Sequence, residues 1–267
     1  KIIGRVYSEY VKKSLRRSSQ KEEFTGYEVY GQLIDFSEFG IPQKRTRFIL
    51  VGIRKDLNLS YKPKDFFDLL VSNKNKFAEI KRIKISNNLE DAISDLLRKE
   101  EINCPDSKGF KSGLYNKPSS SYQKLLRNSY SEIIPDSHRF ANHNEKTIEK
   151  FEFLLKYAEK GKSLSQEIKE KYNLKKRTII PLDSLKPTPT ITTLPDDYIH
   201  YNEPRILTVR EYARIQSFDD WYKFRNKYTT GGERRTREVP RYSQIGNAIP
   251  PLFGEQAGII LSNILNK

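Results

Sequence analysis

Methionine is missing from this sequence altogether, and cysteine and tryptophan occur once each among its 267 residues. A lone thiol, Cys104, cannot close an intrachain disulfide, so a disulfide-stapled scaffold is excluded and an intracellular setting is expected. With no methionine there is no start residue, and a start methionine ahead of a bulky Lys1 is not usually trimmed, so a segment of a longer chain is expected. Apolar residues are also scarce, at 36%, which is low for a chain that must enclose a full core. Part of its apolar surface is expected to need a partner. Long apolar runs are lacking as well: the longest, Phe48-Ile49-Leu50-Val51-Gly52-Ile53, falls far short of the roughly 20 residues of a helical membrane span. No charged segment followed by an apolar one opens the chain as a secretory signal would.

What is plentiful is positive charge, with 49 Lys and Arg against 34 Asp and Glu. An excess of this size favours a polyanionic partner, nucleic acid or an anionic membrane surface. A solvated lysine-rich surface would give the same count, and composition alone leaves the two open. The three histidines, His138, His143 and His200, lack the paired spacing of a zinc site, so no metal is expected.

Along the chain, Lys1 to Arg17 is basic with one apolar side, which suits a helix or a loop and helix. A strand is predicted from Tyr27 to Phe36 and a second from Arg47 to Ile53, with a turn at Gly40-Ile41-Pro42 between them. The near-continuous apolar run of the second predicts burial on both faces. Two strands alone are marginal in water, and the rest of their sheet is not evident. From about Asp56 to Asn202 the composition is polar, rich in Lys and Ser, and reads as a variable, loop-rich region. One helix stands out there, capped by Asn144, striped by Ile148, Phe151, Leu155 and Ala158, and ended by Gly161. Thr208-Val209-Arg210-Glu211 is a capping box that opens a short helix through Gln216. A basic loop from Tyr222 to Arg241 follows, and Gly246-Asn247 is expected to lead into a final helix with Pro250 and Pro251 in its first turn. Leu252, Phe253, Ile260, Leu261 and Ile264 are its expected buried face.

Two constellations suggest chemistry. If the strand is extended by Arg45, Arg45 and Arg47 share one side, where two planar, permanently charged guanidiniums suit a phosphate or a base carbonyl. A charged strand end that guards a sheet edge explains them too. Gln244 to Pro251, read as a glycine turn running into a helix, would leave amides free for a carboxylate or phosphate. An ordinary helix cap accounts for it equally well.

Taken together, the order of segments resembles the DNA cytosine-5 methyltransferase family. Gly40-Ile-Pro-Gln-Lys-Arg-Thr-Arg47, followed by Phe-Ile-Leu-Val-Gly52, resembles its motif VIII. Arg205 to Phe218 resembles motif IX, and Gln244 to Pro251 resembles motif X. The Tyr115 to Arg127, His138 to His143 and Pro187 to Thr193 stretches resemble members from restriction systems, so the likeness covers nearly the whole chain. The resemblance implies an α/β fold: the C-terminal piece of a Rossmann-like, S-adenosylmethionine-dependent methyltransferase domain plus a mixed, loop-rich target recognition domain. The divisions it implies are 1–57 for the motif VIII hairpin, 58–239 for target recognition including motif IX, and 240–267 for the motif X helix. Arg45 and Arg47 would contact the flipped cytosine and nearby phosphate, and Asn247 and Ala248 would close the cofactor site. Gln43, Thr190, Thr192, Arg234, Arg235 and Arg237 are candidates for DNA contact, while motif IX residues such as Arg210 and Arg214 are expected to be scaffold.

The family's thiolate attacks the flipped cytosine from a Pro-Cys-Gln motif. No such motif occurs here: Cys104 sits in Asn103-Cys104-Pro105, inside the recognition region, and is expected to be structural. The Gly-rich cofactor loop and the Glu-Asn-Val motif are not found either. The resemblance therefore implies double-stranded DNA, S-adenosylmethionine and an N-terminal catalytic half or subunit as partners, in a bacterial, DNA-associated, cytoplasmic setting. A catalytically inactive DNA-binding module is the alternative.

Overall fold

The computed structural model describes residues 26–57, 59–128, 130–174, 178–229 and 234–266. The helix expected within Lys1 to Arg17 lies outside them. Three strands open the described chain: β1 (Tyr27–Asp35), β2 (Gln43–Lys44) and β3 (Thr46–Arg54). β1 and β3 form the expected antiparallel hairpin, in register from Tyr27 opposite Arg54 to Asp35 opposite Thr46. A 3-10 turn, Phe36–Phe39, starts the reversal: the Asp35 carboxylate accepts the Ser37 amide at 3.0 Å. Gly40 ends that turn at φ 81°, in the left-handed region that a Cβ disfavours.

Burial on both faces of this hairpin does not hold. Tyr30, Ile49 and Val51 pack toward the core, and the Tyr30 ring meets Phe67 edge-on at 5.6 Å. On the opposite face Leu33 remains 57% exposed. The reason is that this sheet has two strands among the described residues, and the apolar run of β3 outnumbers the side chains available to cover it.

The helix that covers the inner face went unread in the polar stretch after Asp56. α1 (Pro63–Ile80) has Pro63 in its first turn, where a missing N–H costs no helical bond, and buries Phe66, Phe67, Leu70, Phe77 and Ala78 at helical spacing. α2 (Leu89–Ile93) is capped by Asn88, which accepts the Asp91 amide at 2.8 Å. A small hairpin, β4 (Glu101–Asn103) with β5 (Lys111–Gly113), precedes α3 (Ser121–Arg127). α4 (Glu145–Tyr157) carries the expected Asn144 cap, but its buried face centres on Phe151 and Leu154, with Ile148 and Leu155 half-buried beside them.

After α5 (Gln166–Lys171) come β6 (Ile180–Pro181), β7 (Thr188–Pro189) and β8 (Tyr198–Ile199). These are short parallel pairings, β2 with β7 and β6 with β8. α6 (Val209–Ile215) lies at the centre of the molecule, with every residue buried. Its capping box is the one the sequence predicts: Thr208 Oγ1 accepts the Glu211 amide at 3.2 Å and Glu211 Oε2 accepts the Thr208 amide at 2.7 Å. The chain ends in α7 (Arg234–Glu238), α8 (Arg241–Asn247) and α9 (Pro251–Leu265). α9 buries Leu252, Phe253, Gln256, Ile260 and Ile264. Leu261, expected on that face, is 41% exposed because it stands one residue past the stripe, about 100° around the helix.

One apolar cluster runs from Ile34 through Phe66, Tyr122 and Tyr212 to Ile264, and a smaller one gathers Phe151, Leu154, Leu164, Ile179 and Ile199. The larger cluster draws on residues from both sides of positions 57 and 239. α1 packs on β1 and β3 and on α9, so its place in the fold is with the hairpin and the final helix. No described helix is long and apolar enough to cross a membrane.

Candidate functional site

Four segments far apart in sequence meet around two buried side chains from the strand entrance. Gln43 is fully buried, donating from Nε2 to Gln216 Oε1 at 2.8 Å and accepting the Ile191 amide on Oε1 at 3.0 Å. Gln216 in turn donates to the Ile245 and Ala248 carbonyls at 2.9 and 3.1 Å. Arg45, 3% exposed, donates to Ile191 O at 3.3 Å, Gly246 O at 2.8 Å and Ala248 O at 3.3 Å. One guanidinium thus holds the carbonyls of the two residues that flank Asn247. Its charge is balanced by carbonyl dipoles, and burial first, then the nearby charge of Arg47, lowers its pKa to about 10. It stays protonated at neutral pH.

Above this frame the surface side chains alternate with the buried ones. Gln43 and Arg45 point inward, Lys44 and Thr46 outward, and Arg47 is half-buried at the edge. Arg47 Nη1 donates to Thr46 O at 2.9 Å, and partial burial lowers its pKa. Thr190 Oγ1 donates to Lys44 O at 2.7 Å, and Thr192 Oγ1 donates to Asp197 Oδ2 at 2.7 Å and accepts the Leu194 amide at 3.0 Å. Thr190 fastens the β7 segment against the strand entrance, Thr192 closes the turn that follows it, and both stay half-exposed. Asn247 is exposed and Ala248 half-buried beside it.

The expected glycine turn into the last helix takes a different form. Gln244 to Asn247 is the end of α8, and a short extended link through Ala248 to Pro250 precedes α9. Free amides at the head of α9 are not available either. Pro251 has none, Leu252 N donates to Ser217 Oγ at 3.1 Å, and Phe253 and Gly254 donate to Pro250 O, each at 3.0 Å. Pro250 makes no side-chain cap of its own, and Ser217, with a left-handed backbone (φ 61°), takes the Leu252 amide from across the fold.

Gly246 is required for close approach. A Cβ there would sit 2.7 Å from Thr192 O and 2.9 Å from its carbonyl carbon, both backbone atoms that cannot swing aside. Gly246→Ala is therefore expected to destabilise the chain by about 1–3 kcal/mol, as overpacking does. Urea unfolding measures this; a change under about 0.5 kcal/mol would show that the two segments are not held so tightly.

The profile of the C-5 cytosine-specific DNA methylase family matches residues 4–260. The chain belongs to this family. It is 29% identical over 267 residues to type II methyltransferase M.Bpa9945I of Bacillus paralicheniformis, across 91% of this chain and 52% of that protein. With type II methyltransferase M.DdeI of Desulfomicrobium norvegicum it shares 28% over 246 residues, across 88% and 54%. The chain spans about half the length of the curated relatives it matches. A crystal structure of a protein described as a DNA modification methyltransferase encoded within a prophage (E. coli) superposes with TM-score 0.57 at 19% identity, across 93% of this chain and 67% of that one. The likeness is one of α/β fold.

In this methylase chain, the three motif-like segments are joined by the Gln43, Arg45 and Gln216 hydrogen bonds, with Gln43 sealed from solvent instead of facing DNA. The motif IX helix is scaffold: Arg210 and Arg214 are wholly buried and ion-paired to Asp136, Asp95 and Asp220. Arg234 and Arg237 are exposed on α7, and the Arg235 side chain lies outside the described residues. Cys104 is buried, its thiol raised above the usual pKa chiefly by burial, and donates to Asp106 Oδ1 at 3.2 Å. Burial disfavours the thiolate, the form in which a cysteine attacks. No metal-binding cluster occurs among the described residues.

Proposed function

We propose that this chain is the recognition and closing part of a type II DNA cytosine-5 methyltransferase, which transfers methyl from S-adenosylmethionine to C5 of a flipped cytosine in duplex DNA. The observation that carries this reading is the Arg45 frame, which fixes Asn247 and holds the half-buried Arg47 at one surface. Arg47 donates to the cytosine carbonyl or an adjacent phosphate, where a preorganised cation favours charge that builds on the ring. Arg45 acts behind it as a positioning residue. Lys44, Thr190, Thr192, Arg234, Arg235 and Arg237 hold DNA phosphates, and exposed loop cations of this kind position a duplex without specifying its sequence.

The residues fit one wall of a cofactor site. Asn247 is exposed and makes no side-chain hydrogen bond among the described residues, and Ala248 beside it is small and half-buried. When bound, S-adenosylmethionine supplies an electrophilic methyl group; Asn247 and Ala248 would bind it, and Arg45 keeps their peptides in place.

The nucleophile comes from a segment outside these 267 residues, N-terminal in the family's order, because Cys104, the one thiol among them, is buried and its pKa is raised by that burial. The apolar outer face of the β1–β3 hairpin, with Leu33 exposed, is where that segment packs. The test is transfer of labelled methyl to duplex DNA by this chain alone and after co-expression with a segment carrying the Gly-rich, Pro-Cys-Gln and Glu-Asn-Val motifs. Transfer in the mixture only is expected. Transfer by the chain alone would overturn the division of labour, and DNA binding with no transfer in either would replace it by an inactive binding module.

A further inference from the structure

Arg139 stands in an extended segment whose backbone is pinned to β5. Its residue bridges Ser112, and the Phe140 amide donates to Lys111 O at 2.9 Å. Its neighbours His138 and Phe140 turn inward and are buried, so period-two geometry turns Arg139 outward. The guanidinium there lies between two rings, 4.0 Å from the centroid of Phe110 and 3.8 Å from that of Tyr228. Ser107 Oγ accepts from Nη1 at 2.9 Å. The stack and this bond fix the plane of the fork, while Nε and Nη2 have no acceptor among the described residues and no carboxylate pairs with the group.

The contrast with the neighbouring arginine is informative. Arg241 stacks on the same Tyr228 ring at 4.1 Å, but it donates to Asp106 Oδ2 at 2.6 Å, Ser137 Oγ at 2.9 Å and Asn226 O at 2.9 Å. Arg241 is committed to the fold, and Arg139 is not. Arg139 lines an open, polar cleft with Ser107, Asn226 and Thr229, where the one carboxylate among the described lining residues, Asp106, is held by Arg241 and Tyr228. Hydrogen-bonding groups around a preset guanidinium fork suit an acceptor pair on a base edge, while Lys227 is already paired with Glu238 at 3.0 Å.

We infer that Arg139 is a specificity-determining residue that reads a guanine through its O6 and N7 in the major groove. This rests on the methyltransferase reading above.

The test uses the full chain and a random-sequence duplex pool at one fixed salt concentration, with bound duplexes sequenced. The wild type is expected to enrich a motif containing a guanine whose replacement weakens binding roughly 5- to 150-fold. Arg139→Lys keeps the charge but loses the fork, and Arg139→Gln loses both. Both are expected to drop the requirement for that guanine alone, while Arg139→Lys holds its average affinity for the pool within about threefold. Arg234→Ala with Arg237→Ala serves as the phosphate-contact reference and lowers binding to all sequences together. An unchanged guanine requirement in Arg139→Lys, or the uniform loss shown by the reference, would overturn the assignment. A wild-type chain that enriches no sequence would instead remove the recognition reading on which it stands.

Discussion

Arg214→Met is expected to lower the unfolding free energy by about 3–5 kcal/mol, the usual loss when one member of a buried ion pair is removed. Arg214 is fully buried and bonds Asp220 through Nε and Nη2, each at 2.6 Å. The same guanidinium reaches Asp95 at 3.3 and 3.2 Å and the Ala92 carbonyl at 3.0 Å. It therefore joins the end of α6 to the α2 region. Methionine matches much of its volume but leaves two carboxylates in a dry interior, with Arg127, Arg210 and Tyr115 as their remaining partners. A loss of this size is a large share of a typical domain's total stability and would lower the melting temperature by about 10 °C. Asp95→Asn in the Arg214→Met background is expected to recover part of it, since the penalty comes from the orphaned charge. Urea unfolding of both variants is the measurement. A loss under about 1 kcal/mol would mean that water already reaches the network.

The same helix shows what the sequence could and could not disclose. Its start was legible because a capping box is a local device: Thr208 and Glu211 satisfy each other's backbone within four residues. The β1–β3 hairpin and the Asn144 cap were legible for the same reason. The partners of Arg210 and Arg214 were not, since Asp95 and Asp136 lie far away in the chain and no spacing rule connects them. The strand entrance is a sharper case. Its alternation suggested that Arg45 and Arg47 share one side, but periodicity is silent on depth. Depth decides their tasks, giving Arg45 three backbone carbonyls and leaving Arg47 at the edge. α1 was lost for another reason: Lys, Asn and Ser on its exposed face dilute a buried stripe that Pro63, Phe66, Phe67 and Leu70 nonetheless spell out. Gly246 read as a turn because glycine usually marks one. Here it marks the place where a helix must touch a carbonyl.

Acid is expected to destabilise this chain before its carboxylates titrate, and two histidines are the cause. Burial, which penalises the charged ring, lowers His138 to about 4 and His200 to about 3, with Arg205 pushing the same way and Glu211 opposing. The unfolded chain takes up these protons near pH 6.5, the ordinary histidine value. Between pH 6.5 and about 4 it therefore binds more protons than the folded chain, and stability falls with a slope of up to about 1.4 kcal/mol per pH unit for each ring. Glu211 follows a different window. Burial would raise its pKa, but the Arg205 charge and its bonds at 2.8 and 2.7 Å outweigh this and hold it at about 2. Its contribution is present above about pH 4.5 and is lost only as the pH falls toward 2. The geometry explains why the rings resist protonation. His200 Nδ1 accepts the Asn202 and Glu203 amides at 3.1 and 3.2 Å, so a proton there would face two donors. His138 Nδ1 lies 2.9 Å from Thr208 Oγ1, the cap of α6, and an imidazolium would deprive that hydroxyl of its acceptor. The urea midpoint is thus expected to drop between pH 7 and pH 5, and His138→Gln and His200→Gln are each expected to flatten that drop. A midpoint unchanged over this range would show that both rings take up protons in the folded chain as readily as in the unfolded one.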